Sequence, residues 1–124
     1  MDESAFTLLV EKAVDAIPKP YNEKLDNVVF KVEVQPNENQ RARLGLRRCD
    51  ALFGLYEGVP LTKRGGAVHS IVPDVITIFM HPMTSIFTDP PLLEKQINKT
   101  VWHEVAHYYG LDHKRIREIE ARKK

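Results

Sequence analysis

The stretch His103-Glu104-Val105-Ala106-His107-Tyr108-Tyr109-Gly110-Leu111-Asp112-His113 gathers the residue types that handle a metal ion. On an α-helix, residues four apart differ by only about 40° around the axis, so His103 and His107 face the same way and can grip one cation. Glu104 projects about 100° from His103, too far round to serve easily as a third ligand but close enough to meet a water held by the ion. Paired imidazoles beside a carboxylate suit zinc hydrolysis. A catalytic zinc site keeps three protein ligands and one open position. His113 is the expected third ligand. Gly110 can take a positive φ and turn the chain back, whereas an unbroken helix would carry residue 113 about 9 Å further along its axis. Asp112 is the alternative, as an oxygen donor.

Chance alone would place an H-E-x-x-H in roughly two of a hundred chains of this composition, and the full eleven-residue pattern in about three of a hundred thousand. The longer pattern therefore outweighs a pair of solvated histidines. Zinc brings the pKa of a bound water to about 7, and Glu104 would take that proton and return it to a leaving amine. His69, Tyr56 and Arg64 are candidates to steady the oxyanion, each more simply read as structural or solvent-facing. Cys49 is the only cysteine. It excludes an intramolecular disulfide and reads as a small buried hydrophobe.

These side chains need elements to hold them. Thr88 or Asp89 can cap a helix whose first turn tolerates Pro90 and Pro91, and nothing breaks the pattern until Gly110. Leu93, Ile97, Val101, Val105 and Tyr108 form its apolar stripe, with Glu104 beside the stripe and the histidines just past it. Ligands at that border line a cleft. Upstream, Phe6, Leu9, Val10, Ala13, Val14 and Ile17 recur at helical spacing, predicting a helix over 4–17 that Pro18 and Pro20 stop. Residues 27–34 alternate as a half-buried strand with Val28, Phe30, Val32 and Val34 on one face. Residues 38–48 read as a short helix or a loop. Residues 51–61 read as strands or a hairpin near a sheet edge, Gly65–Gly66 as a turn, and 75–80 as a buried strand. A final charged helix over 112–121 turns Ile116 and Ile119 inward. The succession makes an α+β fold, with the sheet order left open.

A length of 124 residues, 43% hydrophobic and 28% charged, fits one globular domain spanning 1–124. The formal net charge of +1 gives no field to draw nucleic acid, so Arg41, Arg43, Arg47 and Arg48, and the cluster Lys114, Arg115, Arg122 and Lys123, read as solvated faces. No run is long enough to span a membrane and the N-terminus does not read as a signal peptide, so a cytoplasmic setting is expected.

The extended motif resembles that of the metzincin zinc peptidases. Those carry a methionine turn after the motif, whereas here Met80 and Met83 precede the helix. Over nearly its whole length the chain is more similar to a family of small, mainly bacterial, minimal zincin-like metallopeptidases. The resemblance rests on Leu25-Asp26-Asn27-Val28, on Leu52-Phe53-Gly54-Leu55-Tyr56-Glu57-Gly58-Val59-Pro60-Leu61, on Pro73-Asp74 leading into Ile76 and Ile78-Phe79, and on the zinc motif. The third metal position in that family is often Asp; here it is His113. The resemblance implies a compact zincin-like domain: a small sheet, an N-terminal helix, an active-site helix and a short C-terminal helix. It also implies a peptide or protein substrate added as a strand along the sheet edge, at Val75–Phe79 or Leu52–Tyr56. The expected function is a zinc-dependent metallopeptidase with one zinc per chain on His103, His107 and His113. The alternatives are a non-proteolytic zinc amidase on a small molecule and a catalytically silent metal-binding regulatory protein.

Overall fold

The structure, a computed structural model, describes residues 1–47, 50–60, 73–111 and 113–122, with the backbone only at 113 and 120–122. Helix α1 spans Glu3–Asp15, where the Asp2 carboxylate caps it by accepting from the Ala5 amide at 2.8 Å. Its Phe6, Val10 and Ala13, followed by Ile17, are buried as the spacing predicts. Strand β1 follows at Val28–Glu33, and α2 at Glu38–Leu44. A reciprocal cap between Asn37 and Gln40 starts α2, and Gly45 ends it in the left-handed region at φ 66°. The stretch left as helix or loop is thus a helix as far as Leu44.

The described residues make three strands in the order β1-β3-β2. Strand β3, Asp74–Phe79, is the central one. It runs parallel to β1 from the pair Val28–Asp74 to the pair Glu33–Phe79, and antiparallel to β2, Gly54–Glu57. Ile76 and Ile78 on one face, and Thr77 and Phe79 on the other, are all buried, which accounts for the unbroken apolar run of this strand. Of the strands or hairpin expected over 51–61, the described part is one short strand, and the turn expected at Gly65–Gly66 lies outside the described residues.

Strand β3 passes straight into a helix, α3, Met80–Ile86, so that Met80, expected as the last residue of the strand, is the first of a helix. The His81 amide donates to the Val34 carbonyl at 2.8 Å, tying the start of α3 to the end of β1. Pro82 falls in the first turn, where its missing amide costs nothing.

Helix α4, Pro90–Tyr109, crosses the inner side of the sheet. Asp89 stands at its N-cap, but its side chain makes no capping bond; its carbonyl instead accepts from the Leu93 amide at 2.9 Å. Leu93, Ile97, Val101, Val105 and Tyr108 are buried, and α1 packs along the same helix. The core therefore lies between α1, α4 and the inner sheet face, with Ile116 and Ile119 of α5, His113–Arg122, closing one side. The chain has the α+β architecture expected of it. No helix among the described residues is long and apolar enough to cross a membrane.

Candidate metal centre

Leu111 and Gly110 make the turn on which a third ligand after the helix would depend. Gly110 sits at φ 76°, its amide donating to the His107 carbonyl at 2.9 Å, while the Leu111 amide reaches the Ala106 carbonyl at 3.0 Å. This glycine-dependent stop satisfies carbonyls left over by α4 and lets α5 begin three residues later, at His113. The side chain of His113, and Asp112 altogether, lie outside what is described, as do His69, Arg64 and Cys49.

One turn inside α4, the His103 and His107 rings stand edge to face with centroids 4.5 Å apart. Glu104 joins them. One donor atom from each of His103, Glu104 and His107 lies within 4.8 Å of the others. The 100° separation from His103 suggested a carboxylate set apart from the imidazoles. From His107, three residues on, Glu104 is only about 60° away, and its Oε1 comes to 3.3 Å from His107 Nδ1. The Glu104 carboxylate, accepting from His107, holds that imidazole above its usual pKa of 6.5, against the opposite pull of burial.

Glu104 is itself buried, whereas both histidines are half-buried. The cause is Gly54, the first residue of β2. A Cβ there would meet Thr100 Cγ2 at 2.8 Å and Glu104 Cγ at 3.0 Å, so only glycine lets the edge strand lie this close to the motif. Sequence reading took Gly54 as a sign of a sheet edge and missed this contact; glycine inside a strand can signal such an approach, but not its partner. A cavity of about 240 Å³ opens alongside, walled by Leu52, Phe53 and Gly54 and floored by Gln96, Lys99, Thr100, His103 and Glu104. A larger cavity of about 560 Å³ on the outer sheet face has no histidine among the described residues that line it, and two of its charged residues, Arg43 and Glu57, pair with each other.

The Tyr56 hydroxyl donates to Asp74 Oδ2 at 2.6 Å, and its ring stands edge to face with Tyr108 of α4, centroids 6.2 Å apart. The substrate edge expected at Val75–Phe79 is overturned, because β3 is paired on both sides and has no free backbone to offer. On β2, among the described residues, the edge away from β3 carries no partner strand.

Two imidazoles and a carboxylate make a donor set that zinc accepts. They stand where a buried helix meets a cleft, with a base-type group among them. A family model described as a zincin-like metallopeptidase matches residues 25–123. No curated protein matches the chain.

Proposed function

The chain belongs to the zincin-like metallopeptidases, and on that premise we propose that it hydrolyses peptide bonds, holding one zinc on His103, His107 and His113. The observation that carries this reading is the convergence of donor atoms of His103, Glu104 and His107 within 4.8 Å of one another, with His103 and Glu104 lining a cleft. When bound, zinc supplies a Lewis acid that polarises a carbonyl and lowers the pKa of water to about 7. Glu104 accepts the proton at a carboxylate oxygen and delivers it to the departing amine. Burial against Gly54 and the bond to His107 limit where that carboxylate can point. His103 and His107 keep their spacing because both stand on the rigid second half of α4, between Trp102 and Tyr108 of the core. The edge of β2 away from β3, which carries no partner strand among the described residues, supports binding of the substrate as an added strand, since Gly54 lies against Glu104. One unit spanning residues 1–124 and a cytoplasmic setting complete the proposal.

Glu104→Gln in zinc-loaded protein tests it. As a base, Glu104 can be replaced with the zinc retained and peptide cleavage abolished. The donor cluster also favours a second reading in which Glu104 is itself a ligand, and then the same variant loses its zinc. Cleavage that survives the substitution would remove Glu104 from the chemistry.

A further inference from the structure

Two rows of side chains run along α4 in steps of four residues, and only their C-terminal ends belong to the metal centre. One row is Gln96, Thr100 and Glu104; the other is Lys99, His103 and His107. Steps of four place each row on a single side of a helix, with successive members about 6 Å apart along the axis. Gln96 Nε2 donates to Thr100 Oγ1 at 3.0 Å, and Thr100 is buried beneath Gly54, so the first row is fixed in place as far as Glu104. The second row extends past His103 to an exposed ammonium.

Lys99 is the one lysine or arginine among the described residues that line the cavity beside Glu104. Among the described residues it has no carboxylate partner. Glu104, the acid that shares the cavity, makes its ion pair with His107 instead. Leu52 and Phe53 make the facing wall apolar, and the Phe53 ring is held edge to face against Phe87 with centroids 5.9 Å apart. An apolar wall, a hydroxyl and amide pair below, and an exposed ammonium one turn from His103 form a short slot that is positive at one end.

We propose that this slot is the specificity subsite of the hydrolase and takes a carboxylate of the substrate, with Lys99 as its counter-charge. The proposal rests on the peptidase reading, because it concerns the group next to the bond to be cut. The carboxylate can come from an internal glutamate or aspartate side chain or from the free C-terminus of a peptide. An aliphatic stem against Leu52 and Phe53 suits either source.

The test uses zinc-loaded full-length Glu104→Gln, which would hold peptides without turning them over, and fluorescein-labelled peptides read by anisotropy. Three peptides share one sequence: one has an internal Glu and an amidated C-terminus, one replaces that Glu by Gln, and one keeps Gln but has a free C-terminus. A carboxylate-bearing peptide is expected to bind about fivefold tighter than the amidated Gln peptide, the scale of a partly exposed ion pair. Whichever of the two gains identifies the source. Adding Lys99→Gln should bring the ratio to about one, and Lys99→Glu should invert it, with zinc content and melting temperature unchanged.

A carboxylate preference that persists in Lys99→Glu would overturn the subsite, as would equal binding of all three peptides. The catalytic reading is judged apart, on the protein with Glu104 intact. Cleavage whose preference ignores Lys99 sinks the subsite and leaves the hydrolase standing. A Lys99-dependent preference in protein that cleaves nothing supports the subsite and sinks the hydrolase.

Discussion

Gly54 and Glu104 form a pair that neither residue type announces alone. A methyl group at position 54 would lie 2.8 Å from Thr100 Cγ2 and 3.0 Å from Glu104 Cγ, both on the backbone-anchored parts of buried side chains. Gly54→Ala is therefore expected to cost about 1–3 kcal/mol, the range for overpacking a filled core, and to displace Glu104. Urea unfolding reads the first effect, and lost cleavage in protein that still holds zinc reads the second. Stability unchanged to within a few tenths of a kcal/mol would show that the strand has room to move. Tyr109 gives a separate prediction. Burial, then the nearby Tyr108 and Tyr21, push its phenol up to about 12 from 10.0, and its hydroxyl donates to the Tyr21 carbonyl. The folded chain thus holds this proton more tightly than the unfolded chain. Its contribution to stability is intact below pH 10 and is lost as the pH rises from about 10 towards 12. Tyr109→Phe should flatten that part of the curve. An equally steep alkaline loss in the variant would assign the effect to other groups.

Helix α4 was legible in the sequence because its signals agree: two prolines at the start, an apolar stripe at 3.6-residue spacing, and glycine at the end. Gly110→Ala puts a side chain at φ 76° and should cost about 1 kcal/mol while loosening the turn between α4 and α5. If His113 is a ligand, zinc affinity falls with it, and isothermal titration measures both halves of that expectation. The motif too was readable, since two imidazoles four apart on a helix can hardly avoid facing one way. Helix α3 was not readable. It is seven residues long, follows the apolar run of β3 without a loop, and has Phe79 rather than a capping side chain at its start. The order β1-β3-β2 was equally hidden, because pairing is set by which apolar faces share a core and not by anything local to a strand. Glu104 was read correctly as bordering the core. Its approach to His107 follows from their three-residue spacing; what a helical wheel leaves out is the contact of Glu104 with Gly54 across the sheet.

For the whole molecule, the relevant quantity is how metal and core support each other. A metal held only by the folded chain stabilises it in proportion to its occupancy, so zinc should raise the melting temperature and a chelator should lower it. Mass spectrometry under native conditions should find one zinc per chain. Finding none in protein purified without chelator would refute the site. All of this leans on α1, which packs along α4 and brings Phe6, Val10, Ala13 and Ile17 into the shared core. Phe6 is fully enclosed, and Phe6→Ala should cost about 3–5 kcal/mol in a denaturant titration.

The likeness to the family begins at residue 25, beyond the end of that first helix. Anyone trimming the protein to the matched segment would keep every candidate metal ligand and strip away the helix that packs along α4. A fragment starting at residue 25 should leave a greasy flank of Ile97, Val101 and Val105 open to water. It would then stick to itself before it could be assayed, so an inactive truncation would report on solubility and not on chemistry.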